Sequence, residues 1–258
     1  MRLLFIGDIV GPPGVDLVGR ILPALRKQEG LDLVVANAEN ACNGAGLTPS
    51  LFRKLRHAGV DAMTLGDHIY KRQEIIPILE DPEAPICKPA NFPPTAPGRT
   101  WVEHTTAAGE TWTIISVLGR LYMRAVDCPF SALDRVLDAV GSKTLVLVDV
   151  HAEATADKLL LGRYLAGRAV AVVGTHTHVP TADEQILPGG TAYITDAGMT
   201  GPHDGILGRR YEPVLFANRH FVPRSFDVSN GPARLHGVVI DVDPANREAT
   251  GIRRIVAE

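Results

Sequence analysis

The chain has 258 residues, of which 45% are hydrophobic and 21% charged. That is the composition of a globular protein, and at this length about 75% of the unfolded surface can be buried without help from a metal or a disulfide. A formal net charge of −3 offers no basic field for nucleic acid or for a membrane surface. Three cysteines, Cys42, Cys87 and Cys128, lie far apart and fit neither a zinc spacing nor a disulfide framework, so a reducing, cytoplasmic setting is expected. No apolar run approaches the roughly 18 residues of a membrane span. The apolar start, Met1 to Ile6, is too short for a signal peptide.

Strand-like and helix-like segments alternate along the chain. Leu3–Ile6 reads as a first strand and Val15–Gln28 as an amphipathic helix. Leu33–Ala36 reads as a second strand. Thr48 is placed to cap a helix over Pro49–His57, with proline at the first helical position. A short strand over Ala62–Leu65 precedes a helix over Arg72–Glu80. Prolines between Asp81 and Gly98 break any element and leave a long connection, with one short apolar piece at Ile86. Thr111–Val117 and Thr144–Val150 read as strands, with a helix near Ser131–Val140 between them. Thr155–Ala166 reads as a helix ended by Gly167. Ala169–Val173 and Thr191–Thr195 read as later strands, and Leu235–Val242 with Gly251–Val256 as a closing hairpin. Neither the proline-rich stretch nor the hairpin is followed by a segment with its own core. Residues 1–258 are therefore expected to form one α/β domain with partly antiparallel sheets.

Five polar motifs fall at the ends of these strands. They are Gly7-Asp8, Asn37-Ala38-Glu39-Asn40, Gly66-Asp67-His68, Asp149-Val150-His151 and Gly174-Thr175-His176-Thr177-His178. Singly, each has an ordinary explanation. Asp8 or Asp67 could cap a helix, Glu39 could be a solvated loop carboxylate, and His68 or His151 could be a hydrogen-bonded histidine. Together they place four carboxylates, two amides and four histidines at strand ends, the edge where α/β sheets gather ligand-binding loops. His176 and His178, two apart, cannot share a helix face. In a turning backbone they can point at two ions about 3.5–4 Å apart. A single tetrahedral zinc needs three protein ligands and an open position. Asp8, Glu39, Asn40, Asp67, His151, His176 and His178 are too many for that and suit two cations with one carboxylate bridging. Imidazole-rich ligands favour transition metals, iron or manganese, over calcium. Such a pair serves phosphoryl transfer by activating a hydroxide for in-line attack. His68, directly after Asp67, is the expected proton donor.

The order of these motifs resembles the calcineurin-like dimetal phosphoesterases. More narrowly, Gly7-Asp8-Ile9-Val10-Gly11, Asn37-Ala38-Glu39-Asn40, Val150-His151-Ala152-Glu153-Ala154-Thr155, Gly174-Thr175-His176-Thr177-His178-Val179 and Asp196-Ala197-Gly198-Met199-Thr200-Gly201 resemble the YmdB-like bacterial phosphodiesterases. The resemblance spans nearly the whole chain. It implies a four-layer αββα sandwich. It implies Asp8, Glu39 and His178 around one metal with Asn40 close by, and Glu39 as a bridge to a second metal held by position 67, His151 and His176. It also implies His68 as the acid and hydrolysis of a small cyclic nucleotide of the cyclic AMP type. The broader superfamily has a histidine where Val10 stands and bridges with aspartate rather than Glu39; the narrower family shares both departures. Asp67 departs from the narrower family too, which has asparagine there. With Asp8, Glu39 and Asp67 ionised, two divalent ions leave the site at +1, and a hydroxide brings it to zero. Such a site favours ferric iron in one position, or catalyses more weakly.

The remaining polar residues read more plainly. Cys42 is expected to be a small loop residue, Asp149 either a support behind a histidine or, slightly preferred, a plain strand-end carboxylate, and Glu153 and Thr155 the start of a helix. His57, His104, His220 and His236 read as structural or surface groups. His203, in the glycine-rich loop from Gly198 to Gly205, is a candidate substrate contact, as is Asn40. Arg209 and Arg210 are expected to face water. The leading expectation is a phosphodiesterase acting on a small phosphodiester substrate. The alternatives are a phosphomonoesterase or nucleotidase on the same site, and a regulatory nucleotide-binding protein with little turnover. The oligomeric state is open, a homo-oligomer included.

Overall fold

The computed structural model describes residues 1–141 and 144–258. In chain order the elements are β1 (Arg2–Ile6), β2 (Asp8–Ile9), α1 (Gly11–Glu29), β3 (Leu33–Asn37), α2 (Pro49–Ala58), β4 (Ala62–Thr64), α3 (Ile76–Glu80), β5 (Trp101–Thr105) and β6 (Thr111–Leu118). They continue with α4 (Pro129–Val140), β7 (Leu145–His151), α5 (Thr155–Leu165), β8 (Ala171–Thr175), β9 (Gln185–Leu187), β10 (Thr191–Ile194), β11 (Met199–Pro202), α6 (Tyr211–His220), β12 (Ala233–Asp243) and β13 (Glu248–Ala257). Among the described residues these strands form two mixed sheets. The first has the order β2-β11-β12-β1-β3-β4, with β13 paired to β12. The second has the order β5-β6-β7-β8-β10-β9. β1, β3 and β4 run parallel. So do β6, β7, β8 and β10.

Alternation along the strands sorts the apolar residues onto the two faces of each sheet. Leu3 and Phe5 of β1 join a cluster with Leu33, Val35, Leu147 and Val173, drawn from both sheets. Their neighbours Leu4 and Ile6 join another cluster with Val18 and Leu22 of α1 and with Phe52 and Leu55 of α2. In the second sheet Val146, Val148 and Val150 of β7 turn the other way, toward Leu133 of α4 and Leu161 of α5. Strands buried on both faces explain why β1, β3 and β7 read as continuous apolar runs.

Several elements differ from the sequence reading. α1 starts at Gly11 rather than Val15, because Pro12 and Pro13 occupy the first turn, where no backbone N–H is needed. The expected Arg72–Glu80 helix is a 3₁₀ turn over Gln73–Ile75 followed by the short α3. β8 lies two residues later than expected, so His176 follows it directly. β2, β5, β9, β11 and α6 do not announce themselves in the sequence. The first four are short or carry mixed polarity, and α6 has no buried residue to give it an apolar period. α2 forms as expected, with Thr48 Oγ1 accepting from Leu51 N–H at 3.4 Å. No described helix is long and apolar enough to cross a membrane.

The turn after β8 is held under strain. His176 and His178 both take positive φ, 97° and 65°, a conformation that costs a non-glycine residue about 1–3 kcal/mol. Thr177 between them donates its N–H and its hydroxyl to Asp196 Oδ2, at 3.2 and 2.7 Å. That same oxygen accepts from Lys158 Nζ at 2.6 Å. Both charged side chains are 1% exposed. A buried pair of this kind contributes little net energy while intact, but removing one partner strands the other charge. Lys158→Ala is therefore expected to destabilise the protein by about 3–5 kcal/mol, seen as a drop of roughly 6–20 °C in thermal unfolding. The double variant Lys158→Met/Asp196→Asn should lose markedly less. A single variant that melts with the wild type would show that the pair does not hold the turn.

Candidate metal centre

The parallel strands bring five loops to one place. Asp8 opens β2 just after β1, Glu39 and Asn40 follow β3, and Asp67 and His68 follow β4. From the second sheet His151 ends β7, and His176 and His178 follow β8. Gly66 lets the β4 loop come this close, because a Cβ there would collide with the His151 ring.

Glu39, Asp67, His151 and His176 each offer one ligand atom within 4.8 Å of the others. His151 Nε2 lies 3.1 Å from Glu39 Oε1 and 3.2 Å from Asp67 Oδ1. His176 Nδ1 lies 3.0 Å from His151 Nε2 and 3.6 Å from Asp67 Oδ1. Beside this group His178 Nε2 sits 3.9 Å from Asp8 Oδ1 and 3.2 Å from Asn40 Nδ2. His68 completes the ring of contacts. Its N–H donates to Glu39 Oε2 at 3.0 Å and its Nδ1 lies 2.7 Å from Asn40 Oδ1.

Hydrogen bonds behind the rings set which nitrogen faces the cluster. Thr175 Oγ1 gives its proton to Asp149 Oδ1 at 2.6 Å, so it can only accept from His151 Nδ1, 2.8 Å away. His176 Nε2 faces Glu153 Oε2 at 3.1 Å. His178 Nδ1 faces the Leu207 carbonyl at 3.2 Å. Each ring thus has one nitrogen committed as a donor to an oxygen. The other nitrogen, His151 Nε2, His176 Nδ1 or His178 Nε2, faces the carboxylates.

The electrostatics of the site follow from burial of three acids among these lone pairs. Burial pushes the Asp8 carboxyl up to about 8, and Asp8 Oδ1 is buried with no hydrogen-bond partner among the described residues. Burial opposes ionisation of Glu39 and Asp67 as well, but His151 and its neighbours outweigh it and hold both below the ordinary range. Burial likewise opposes a charge on His151, yet Glu39 and Asp67 raise it well above the usual histidine value. Burial lowers His176 and His178. The cluster draws positive charge into itself, and the orphaned Asp8 oxygen and three inward ring nitrogens fit cations of the transition-metal type.

Residues outside the expected ligand set also have places here. Asp149 takes the supporting role behind a histidine rather than that of a plain strand-end carboxylate. It is fully buried and accepts from Thr175, from Thr64 at 2.5 Å and from Asn37 at 3.0 Å, so both sheets brace it behind His151. Glu153, expected only to start a helix, faces His176. Lys158 carries no signal in the sequence, and Asp196 stands there only as part of a family-like motif with no role assigned, although it follows β10 by the same strand-end rule as the other motifs. His203 stacks on His236 with ring centroids 4.7 Å apart and places Nδ1 2.8 Å from the Gly201 carbonyl. It is not among the residues lining the cavity of about 340 Å³ over the cluster, whereas Asn40, His68 and Arg209 are. A larger cavity of about 780 Å³, between Lys88, Arg99 and Trp101, includes none of the cluster.

Comparison with known proteins places this arrangement in a family. The family described as YmdB-like protein matches residues 4–255. A 2′,3′-cyclic-nucleotide 2′-phosphodiesterase of Bacillus subtilis is 44% identical over 257 residues, covering 99% of this chain and 97% of that one. A solved structure of a hypothetical protein from Thermus thermophilus superposes with a TM-score of 0.94 at 42% identity, covering 100% of this chain and 99% of the other. A solved phosphatase from Mycoplasma pneumoniae gives a TM-score of 0.92 at 28% identity, over 100% of this chain and 93% of its own. The chain belongs to the YmdB-like protein family.

Proposed function

We propose that this chain is a two-cation phosphodiesterase that opens small cyclic nucleotides, with 2′,3′-cyclic nucleotides as its substrates. The observation that carries the proposal is the orientation of His151, His176 and His178. Each ring is anchored from behind and turns its other nitrogen toward Asp8, Glu39 and Asp67. The activity named for the Bacillus subtilis relative supports the choice of substrate. Asp8, Glu39 and His178 would hold one ion with Asn40 beside it. Glu39 would be shared with a second ion held by Asp67, His151 and His176. Iron and manganese suit the mixed imidazole and carboxylate set. Bound there, the ions would make water acidic enough to attack phosphorus at neutral pH and would offset charge on the phosphoryl oxygens. The three apolar clusters support a four-layer αββα arrangement, and the cluster shared by both sheets supports one domain over residues 1–258.

His68 takes the part of the acid. Asn40 Oδ1, 2.7 Å from Nδ1, fixes the ring, leaving Nε2 as its second proton-bearing atom. As the bond between phosphorus and the 2′ oxygen breaks, Nε2 hands its proton to that oxygen. Water supplies the new oxygen on phosphorus, and the product is a 3′-nucleotide. His68→Ala is expected to lower kcat on 2′,3′-cyclic AMP by roughly 10²–10⁴-fold with metal content unchanged. A fall of less than tenfold would place the acid elsewhere. A wild type that binds the nucleotide without turning it over would favour a regulatory role.

Asp67 sets the charge of the site. Replacing it by asparagine removes one negative charge from the site; for a phosphate bound at an assumed distance of about 6 Å that is worth roughly 0.7–3 kcal/mol for dielectric constants between about 80 and 20. With manganese loaded, Asp67→Asn is expected to lower KM for the phosphodiester by about 3- to 100-fold. Steady-state kinetics at matched metal content measures this. An unchanged KM would mean that Asp67 stands outside the substrate's field.

A further inference from the structure

The cavity over the cluster has two unlike halves. One half is Glu39, Asn40, His68, His176 and His178. The other is largely apolar: Ile206, Leu207, Val214 and Phe226, from the segment between β11 and β12, with Arg209 of the same segment committed to backbone carbonyls. Large hydrophobic side chains in this wall stay open to solvent, Leu207 by 49% and Phe226 by 39%. The wall is tied to the polar half at two points. The Leu207 carbonyl faces His178 Nδ1 at 3.2 Å. Arg209, expected to face water, instead donates to the carbonyls of Asn43 at 2.9 Å, Phe226 at 2.8 Å and Gly44, clamping the wall to the loop that follows Asn40.

We infer that this wall is the nucleobase subsite, with Phe226 as its stacking face, and that it accepts purines and pyrimidines alike. The inference rests on the phosphodiesterase reading and adds where the base lies and how it is read. A volume of about 340 Å³ is at the small end of ligand pockets, so it suits a mononucleotide rather than an oligonucleotide. With the phosphate against the histidines, the apolar half is what remains for the rest of the molecule. Ile206, Leu207, Val214 and Phe226 carry no side-chain donor or acceptor. Such a wall grips the flat face of a base and cannot read its edge. Apolar contacts discriminate by only about 10–200-fold, whereas sites that hydrogen-bond a substrate group reach about 10⁴–10⁵.

Calorimetric titration of the metal-loaded protein with adenosine 3′-monophosphate and with ribose 3-phosphate tests the subsite without turnover. The nucleotide should bind more tightly by about fivefold to 150-fold, the range of base–aromatic stacking. Phe226→Ala should remove most of that difference and Phe226→Tyr should restore it. The values of kcat/KM for 2′,3′-cyclic AMP and 2′,3′-cyclic CMP should agree within about 200-fold. Equal affinity for the two ligands, or no binding of either, would overturn the subsite. So would a base preference of about 10⁴ or more. A change of oligomeric state in Phe226→Ala with unchanged affinities would assign the wall to a second copy of the chain, and would overturn it too. Failure of the phosphodiesterase reading looks different: neither cyclic nucleotide is turned over, while the two binding constants still differ.

Discussion

Three carboxylates and three imidazole rings converge at the floor of one cavity, and acceptors so placed repel one another unless positive charge lies among them. Asp8 and Glu39 are fully buried, and Asp8 Oδ1 has no donor within reach among the described residues. His151 responds by holding a proton far more tightly than a free histidine, drawn by Glu39 and Asp67 against the cost of burial. A proton at one ring can satisfy Glu39 and Asp67, yet it leaves Asp8 Oδ1 without a donor. Cations shared among all six groups would satisfy the whole set. Much of the surrounding structure serves to keep these acceptors pointing inward.

That restraint comes from behind the ligands. Asp149 orients His151 through Thr175 while Asn37 and Thr64 brace it from the other sheet. Glu153 holds His176 and the Leu207 carbonyl holds His178. The buried Lys158–Asp196 pair keeps the strained backbone between those histidines in its left-handed turn. Outer groups of this kind fix the ring orientation and raise ligand basicity. The same Leu207 carbonyl joins the metal-facing side of the cavity to its apolar wall. A change in the segment between β11 and β12 would therefore be felt at His178.

The ligand-bearing loops could be read from the sequence because one rule governs them. A buried strand is a continuous apolar run, its end is abrupt, and a polar residue at or just past that end is conspicuous; Asp8, Glu39, Asp67, His151 and His176 all lie at or within three residues of one. What the sequence hid is contact made by packing. Asp149 lies inside the apolar strand it belongs to, and its donors come from three other strands. Glu153 reads as an ordinary residue before a helix until the turn after β8 is folded against it. α6 buries no residue, so no period marks it. His203 stands out in the sequence by its glycine-rich surroundings, which here lead to the stack with His236.

The central claim is that the acceptor cluster is a two-cation site bridged by Glu39. Elemental analysis of the purified protein beside its Glu39→Ala and Asp8→Ala variants tests this most directly. The account predicts about two transition-metal ions per chain in the wild type, about one in Asp8→Ala and almost none in Glu39→Ala. One ion or none in a fully active wild type, or equal losses in the two variants, would contradict it.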